Sequence, residues 1–274
     1  MSGAVLRFAP SPNGPLHIGH ALSARLNRTM ADRLGGTFLI RIEDIDTARC
    51  TPELAQRALD DLRTIGIESD GPVLYQSTRT KAYRAALDRL RAMGLVYPST
   101  LSRKELRERM AANEAEGTSW PHDPDGAPHY PTGERNAWRA EPTALVSERP
   151  AWRLDLEAAL ARLGAPITFN EVDERGSNPR TITPDATRWG DPVLWRRDGV
   201  PAYHLAVVVD DAFQGVSHIV RGTDLREATT LQRILQSLLA FPEPLYHHHD
   251  LIRDAEGRKL AKRSGDGVRF SVIG

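Results

Sequence analysis

Cysteine is nearly absent from the sequence, which has a single one, Cys50. One cysteine forms no internal disulfide and no multi-cysteine metal site. No feature of the sequence around Cys50 indicates how its thiol would be activated, so we interpret it as inert and not as a nucleophile. This cysteine usage is typical of a reduced environment, and we predict a cytoplasmic protein.

Net charge and long apolar runs are absent as well. Lys and Arg number 36 and Asp and Glu number 36, so the formal net charge is +0. This balance argues against a general binder of polyanions, although it leaves room for a local basic footprint on RNA. No apolar run approaches the roughly 20 residues of a membrane-spanning helix, and the first residues lack the apolar core of a signal peptide. We therefore predict a soluble protein without a membrane partner, and we expect a monomer, although no residue pattern indicates the oligomeric state.

The first 98 residues do contain a regular alternation of strand-like and helix-like segments. The helix predicted from Gly19 to Leu34 has apolar residues at every fourth position and ends before two glycines. Strand, helix and strand in this order predict parallel pairing with a right-handed crossover. The region is therefore predicted to form the first half of a doubly wound, Rossmann-like α/β sheet. Its segments are strands at 4–9, 38–42 and 95–97 and helices at 19–34, 52–65 and 80–93.

The alternation stops at residue 99, and residues 99–183 are predicted to form an inserted α+β segment that resembles an acceptor-binding region. The α/β pattern returns in residues 184–274, which are predicted to complete the catalytic domain begun by residues 1–98. There a hairpin turn at Asp198–Gly199 leads into the apolar run 203–209, which we interpret as a strand. A further strand at 216–221 and a helix at 225–240 follow.

The stretch from Arg7 to His20, RFAPSPNGPLHIGH, lies where the first strand leads into the first helix. Ligands of open α/β sheets bind beyond the carboxyl ends of the strands, and a helix N-terminus offers N–H groups that suit a phosphate. Two imidazoles, His17 and His20, flank Gly19, which allows a ligand to approach the backbone. These two histidines alone are equally consistent with an incidental Pro/Gly-rich turn.

Three further groups are candidates that the residues alone leave open. The basic run KLAKR, with Lys259 and Lys262, suits charge on a transferring phosphoryl group but is also typical of solvated surface. The acidic residues at 43, 44 and 46 suit an ammonium group or Mg²⁺, or form an ordinary polar loop. Arg221 suits a carboxylate, whereas Tyr203 is also consistent with packing in the core.

The histidines at 247–249 suggest a metal site at first sight. Adjacent residues on a strand point to opposite faces, so three in a row do not converge on one ion without an unusual turn. We interpret them as a loop near the nucleotide or as plain surface.

The stretch RFAPSPNGPLHIGH, together with KLAKR, resembles the paired HIGH and KMSKS motifs of class I aminoacyl-tRNA synthetases. The RFAPSP lead-in is similar to the glutamyl branch, and the resemblance continues through RIEDID at 41–46 and YHLAVVVDDAFQGVSHIVRGTDL at 203–225. It implies a catalytic core that uses ATP and Mg²⁺. Because the chain ends soon after Arg263, we expect no anticodon-binding domain, and the chain looks like the truncated glutamyl-Q branch.

The resemblance also implies a role for each matching position. Glutamate presents two carboxylates and one ammonium group, so its site needs cationic donors and one anion. The implied residues for L-glutamate are Arg7, Ser11, Glu43, Tyr203 and Arg221. The implied residues for ATP are His17, Gly19, His20, Lys259 and Lys262, of which the two histidines and the two lysines are also the implied catalytic groups.

Two regions depart from the family pattern. Many members carry a zinc site of cysteines and a tyrosine in the inserted segment, but here the cysteine positions are Ser99, Leu101 and Glu134, and only Tyr130 matches. These side chains do not make a structural zinc site, so we predict no zinc and expect packing to hold the segment. Ala261 stands where serine is usual in the lysine loop, and we expect modulated activity and not its loss.

The function implied by the resemblance has two steps. Glutamate is activated with ATP to glutamyl-AMP without tRNA, and is then transferred to the queuosine base in the anticodon of tRNA(Asp). Three alternatives stay open: a glutamyl-tRNA synthetase that charges tRNA, a catalytically silent RNA-binding paralogue, and an activating enzyme with a non-RNA acceptor. The expected lack of anticodon-binding domains disfavours the first, and the intact histidines and lysines disfavour the second.

Overall fold

The computed structural model describes residues 3–142 and 149–252, and these form ten strands and eight α-helices. The strands are β1 (Val5–Phe8), β2 (Thr37–Ile42), β3 (Leu74–Tyr75), β4 (Val96–Ser99), β5 (Ala151–Leu154), β6 (Phe169–Glu171), β7 (Arg180–Ile182), β8 (Val193–Trp195), β9 (His218–Gly222) and β10 (Leu245–His249). The helices are α1 (Ile18–Arg33), α2 (Pro52–Thr64), α3 (Thr80–Ala92), α4 (Arg103–Ala115), α5 (Thr132–Ala140), α6 (Leu156–Leu163), α7 (Tyr203–Phe213) and α8 (Ala228–Leu238).

Two of the helices, α2 and α4, begin where the sequence supplies a cap. The Thr51 side chain accepts the N–H of Leu54 at the start of α2, and Pro52 occupies its first turn, where no backbone donor is needed. Ser102 and Glu105 form a capping box at the start of α4. The helices predicted at 19–34, 52–65 and 80–93 are confirmed as α1, α2 and α3.

Seven strands form the main sheet, in the order β3-β2-β1-β9-β10-β6-β7. All neighbouring pairs are parallel except β6 and β7. From the β1–β9 pair the strand order runs outward in opposite directions, so this pair is the topological switch point at which doubly wound sheets bind ligands. The predicted fold class, a mostly parallel doubly wound α/β sheet, is confirmed.

Three antiparallel strands form a second sheet, in the order β4-β5-β8. The strand predicted at 95–97 exists as β4, but it belongs to this small sheet and not to the main one. Conversely, β6 and β7 come from the part predicted as an insertion and yet extend the main sheet. Short apolar runs identify strands but not their partners, which explains the difference.

The interpretation of residues 203–209 as a strand is wrong, because they form the first part of α7. Every residue from His204 to Asp211 is buried, so the helix has no polar face and no 3.6-residue pattern in which to recognise it. The predicted turn before it is present, with Gly199 at φ +84°. The helix packs against α3, α8 and β8, and it brings Tyr203 and Asp211 to the ends of the main-sheet strands.

Three apolar cores hold these elements together, the smallest of them formed by Phe169, Val216, Ile219 and Tyr246. Another packs α1 and α2 on β1 and β2, and the largest joins α3, α7, α8 and the small sheet. Among the described residues, no helix has both the length and the apolar character needed to cross a membrane.

Candidate active site

A cleft of about 1160 Å³ opens where β1, β2, β9 and β10 end, beside the switch point of the main sheet. Each predicted site residue within the described ranges contributes to its lining. These residues are Arg7, Ser11, His17, Gly19, His20, Glu43, Tyr203 and Arg221. The predicted residues Lys259 and Lys262, and Ala261 between them, lie outside the described residues.

His17 and His20 cap the N-terminus of α1 reciprocally. Nδ1 of His17 accepts the N–H of Gly19 at 3.1 Å, and Nδ1 of His20 accepts the N–H of His17 at 3.1 Å. A neutral imidazole that accepts at Nδ1 carries its proton at Nε2. The two rings, whose centroids are 3.9 Å apart, therefore hold Nε2–H donors at a helix N-terminus, an arrangement that suits phosphate oxygens.

Gly19 is required by the position of the His17 ring. A Cβ atom at Gly19 would lie 2.9 Å from Cε1 and 3.1 Å from Nδ1 of His17. Carbon atoms in contact prefer about 3.5–4.0 Å, so a larger residue would push the ring out of its capping position. The glycine in this motif thus serves the packing of the histidine.

Four charged side chains, Arg7, Arg41, Glu43 and Asp211, form what we call the paired cluster at the β1–β2 side of the cleft. Asp211 accepts from Arg7 Nε at 3.0 Å and from Arg41 Nη1 at 2.6 Å, and Arg41 Nη2 donates to Glu43 at 3.1 Å. Burial alone would raise the pKa of Asp211, but the charges of Arg7 and Arg41 outweigh it and hold this pKa below its ordinary value. Two cations and two anions balance here.

Glu43 is the least buried member of the paired cluster, and it lines the cleft together with Ser11 and Tyr203. Burial raises the pKa of Glu43, although the charges of Arg41 and Arg7 oppose this shift. Burial and the charge of Glu43 also raise the pKa of Tyr203. The Ser11 hydroxyl donates to the Glu43 carbonyl at 3.2 Å. An ammonium group beside Glu43 would favour its ionised form.

Arg221, near the end of β9, is a buried cation held by neutral groups. Its Nη1 donates to Gln232 Oε1 at 2.8 Å, its Nη2 to Thr229 Oγ1 at 2.7 Å, and its Nε to His248 Nε2 at 3.4 Å. Within the described residues no carboxylate pairs with it, since Asp211 and Glu171 have other cationic partners. A buried charge without a counter-ion is costly, so this position favours an anionic ligand.

The acidic residues after β2 do not form a cage for Mg²⁺. Asp44 accepts the N–H of Ser77 at 2.9 Å and its hydroxyl at 2.7 Å, and Asp46 pairs with two arginines. Among the residues that the structure describes, no group of three or more His, Cys, Asp or Glu side chains is arranged to hold a metal ion. Asp44 and Asp46 therefore serve as structural hydrogen-bond and ion-pair partners.

Hydrogen bonds join the positions at which the family pattern places zinc. The Tyr130 hydroxyl accepts the N–H of Thr100 at 2.9 Å and that of Leu101 at 3.0 Å. The Thr100 hydroxyl donates to Glu134 at 2.6 Å. The segment is thus held by hydrogen bonds in addition to packing, and the absence of zinc stays a prediction.

Several residues that support the cleft were not identified from the sequence, and one interpretation was wrong. Residues 247–249 form the end of β10 and not a loop, and the side chain of His248 is only 2% exposed. The pair of acidic residues that follows the apolar run, Asp210 and Asp211, was a usable signal for Asp211. The residues not identified are Arg41, Asp211, Thr229, Gln232 and His248.

Comparison with known proteins identifies relatives over nearly the whole chain. The family described as tRNA synthetases class I (E and Q), catalytic domain, matches residues 4–142 and 179–272. A glutamyl-Q tRNA(Asp) synthetase from Rhodobacter capsulatus is 48% identical over 94% of this chain and 91% of its own length. Another, from Nocardia farcinica, is 42% identical over 96% of this chain and 77% of its own length.

A solved structure agrees with this relationship. The glutamate-tRNA synthetase of Elizabethkingia anophelis superposes with a TM-score of 0.73 at 28% identity, over 97% of this chain. The chain spans 54% of the length of that synthetase. The resemblance read from the HIGH-like and KMSKS-like motifs is therefore confirmed. The chain is a ligase that belongs to the class I aminoacyl-tRNA synthetase family, in its glutamyl-Q tRNA(Asp) synthetase branch.

Proposed function

We propose that this chain activates L-glutamate with ATP to glutamyl-AMP without tRNA, and then transfers glutamate to the queuosine base in the anticodon of tRNA(Asp). The observation that carries the first step is Arg221, a buried cation held by neutral partners in the cleft that His17 and His20 also line. The names of the relatives support the second step. We further propose a cytoplasmic monomer in which residues 99–183 approach the RNA.

Arg221 binds the side-chain carboxylate of glutamate in this proposal. The α-carboxylate is the attacking group, so it has to face the nucleotide at the His17 and His20 side of the cleft. Glutamine presents a neutral amide, which would leave the buried cation without a counter-ion, and a site of this kind rejects such an analogue strongly. The charge of Arg221 therefore supplies selectivity for glutamate.

Glu43 and Tyr203 receive the ammonium group of the substrate. Glu43 is an acceptor whose ionised form burial disfavours and Arg41 favours, and an ammonium group beside it would favour that form further. Arg7 is held by Asp211 through Nε, which fixes the direction of its guanidinium beside the cleft, and Ser11 adds a hydroxyl. Each polar group of glutamate thus has a partner of matching charge or hydrogen-bonding type.

In the activation step, an α-carboxylate oxygen of glutamate attacks the α-phosphorus of ATP. The new O–P bond forms as the bond to pyrophosphate breaks, and no protein nucleophile takes part. His17 and His20 donate from Nε2 to phosphate oxygens, where charge develops, and positioning of the two substrates supplies much of the rate. On the resemblance alone, Lys259 and Lys262 bind the phosphates. Mg²⁺ would be held mainly by the ATP phosphates, because the carboxylates described above do not fit it.

In the transfer step, a hydroxyl of the queuosine cyclopentenediol attacks the carbonyl carbon of glutamyl-AMP. A new ester bond forms, AMP leaves, and the hydroxyl proton is released. This assignment rests on the similarity to glutamyl-Q tRNA(Asp) synthetases and is the part of the proposal that depends least on the cleft.

Glutamate-dependent ATP–pyrophosphate exchange in the absence of tRNA tests the activation step, with glutamine and aspartate as controls. Of these three amino acids, we expect only glutamate to support exchange. Exchange that appears only after addition of tRNA(Glu) would replace the proposal with a tRNA-charging synthetase. A lack of exchange in both conditions would favour a catalytically silent paralogue.

Transfer is tested with labelled glutamate and two forms of tRNA(Asp), one with queuosine and one without it. We expect acid-stable label to require queuosine and to survive removal of the tRNA 3′ end. Labelling of both forms, or loss of label with the 3′ end, would contradict the proposed acceptor.

A further inference from the structure

His248 lies directly behind the guanidinium of Arg221, on the neighbouring strand of the main sheet. The two residues are register partners in the β9–β10 pair. Nε2 of His248 is 3.4 Å from Arg221 Nε and 3.1 Å from Thr229 Oγ1, and Nδ1 is 2.8 Å from Glu171 Oε1. The imidazole therefore separates the carboxylate of Glu171 from the cation of Arg221.

The hydrogen bonds fix the tautomer of this imidazole. An ionised carboxylate only accepts, so Nδ1 of His248 donates its proton to Glu171 and Nε2 is left as an acceptor. The Thr229 hydroxyl accepts from Arg221 Nη2 at 2.7 Å and donates its own proton to His248. Arg221 Nε and the Thr229 hydroxyl then share the one lone pair of Nε2 as their acceptor, and the ring is neutral.

The charge of Glu171 is satisfied away from the cleft. Arg226 donates to both of its oxygens, at 2.7 Å and 3.1 Å, and Arg180 lies at 3.2 Å. Although burial opposes it, these contacts and that of His248 lower the pKa of Glu171 to about 2. Glu171 orients the imidazole without neutralising Arg221 through a direct ion pair.

A carboxylate at position 248 would satisfy Arg221 in the way that Asp211 satisfies Arg7. It would also compete with the substrate for the guanidinium, because a paired arginine offers less free charge to an incoming carboxylate. A neutral acceptor fixes the direction of the guanidinium and leaves its charge for the ligand. In this chain the neutral acceptor is present, as Nε2 of His248.

We propose that His248, oriented by Glu171, is a positioning residue for amino-acid recognition, which holds Arg221 as an oriented but uncompensated cation for the side-chain carboxylate of glutamate. This inference rests on the proposed function, because it deepens the role of the same cleft. In this inference the acceptor at Nε2 of His248, and not the bulk of its ring, determines the affinity for glutamate.

The competing explanation is that His248 only fills space. Its ring stacks on Tyr246 with 6.0 Å between centroids and meets Phe169 edge-on at 6.2 Å. Any substitution that removes the ring loses these contacts. The test therefore needs two variants that lose the ring equally and differ in the acceptor that remains.

His248→Gln and His248→Asn form such a pair. The amide oxygen of glutamine reaches about as far as Nε2 of the imidazole, whereas the amide of asparagine reaches only as far as Nδ1. His247→Gln on the same strand is the matched control, because that ring bonds the Val172 carbonyl at 3.1 Å and has no part in the cleft. Glutamate affinity is measured by isothermal titration calorimetry, and KM for glutamate and for ATP by pyrophosphate exchange.

We expect His248→Asn to weaken glutamate binding by about 10-fold, as loss of one hydrogen bond to a charged group implies. His248→Gln and His247→Gln should stay within about 3-fold of the unmodified chain, and KM for ATP should stay constant in all variants. Equal loss in the Asn and Gln variants, or equal increases in both KM values, would overturn the inference and establish a packing role. If the unmodified chain itself does not bind glutamate, the proposed function fails, and the inference fails with it.

Discussion

The two sides of the cleft bury arginines in opposite ways. At the β1–β2 side, Arg7 and Arg41 share the carboxylate of Asp211, and Arg41 also pairs with Glu43. At the β9–β10 side, Arg221 is as deeply buried as Arg7, but it donates to an amide oxygen, a hydroxyl and an imidazole. The first side is balanced within the protein, whereas the second has no carboxylate partner in residues 3–142 and 149–252 and would be balanced by a bound anion.

The difference separates residues that build the site from a residue that selects the ligand. A buried cluster whose charges are paired within the protein keeps its geometry without substrate. Removal of any one member leaves another charge buried and unpaired, which is costly. A buried cation without a counter-ion lowers the stability of the free protein. An anionic ligand supplies the counter-ion, so its binding raises the free energy of unfolding.

The largest effect is expected from Asp211→Asn in the paired cluster. This substitution keeps the shape of the side chain but removes the negative charge that Arg7 and Arg41 share. We expect the free energy of unfolding to fall by roughly 3–5 kcal/mol, measured by urea denaturation. Asp60→Asn is the matched control, because Asp60 pairs with Arg63 on an exposed helix surface, and its effect should be below about 1 kcal/mol. Equal losses in the two variants would remove the contrast.

The reach of sequence reasoning also differs between the two sides. Residues 7–20 lie close together along the chain, so the strand, the start of the helix and the position of both histidines beside it were predicted from one local stretch, whereas the capping role of the histidines was not. Arg221 was identified as well, but its neutral partners come from α8 and β10, and no local pattern joins them. The apolar run 203–209 was placed wrongly, since a helix buried on all sides has no periodicity.

The next effect concerns the pH dependence of stability at the β9–β10 side. Burial, and then the charge of Arg221, lower the pKa of His248 from 6.5 to about 4. Below pH 6.5 the unfolded chain takes up a proton that the folded chain does not, so stability is present above 6.5 and is lost as pH falls toward 4. The groups that face the ring are Glu171, Arg221, Arg226 and Tyr246.

His248→Gln should flatten this dependence. The full difference between the two stability curves should be on the order of 3 kcal/mol, since one pKa unit corresponds to about 1.4 kcal/mol. Urea denaturation across the range gives both curves, and His247→Gln again serves as the control. Parallel curves for the His248 variant and the unmodified chain would show that the imidazole titrates as it does in water.

A smaller effect is expected in binding from Arg221→Met. Loss of a hydrogen-bonded, charge-assisted contact should weaken glutamate binding roughly 10- to 100-fold, measured by calorimetry. Because the removed cation has no carboxylate partner in the part of the chain that the structure describes, we expect the free energy of unfolding without ligand to stay the same or to rise, the opposite of Asp211→Asn. Arg63→Met is the control for both measurements. A loss of stability as large as that of Asp211→Asn would show that the two sides do not differ.

The smallest effect is expected from Gly19→Ala, which lies outside both arginine environments. Its added Cβ would meet the His17 ring at 2.9 Å, so the ring has to leave its capping position and its Nε2–H donor moves with it. We expect kcat of glutamate-dependent exchange to fall about 10-fold, the order of one lost donor to a charged group, while calorimetric affinity for glutamate stays unchanged. Gly133→Ala is the matched control, because no atom lies within 4 Å of the added Cβ there. If glutamate affinity falls together with kcat, the histidine cap and the arginine environments are one coupled unit, and amino-acid selection cannot be attributed to Arg221 separately from the nucleotide side.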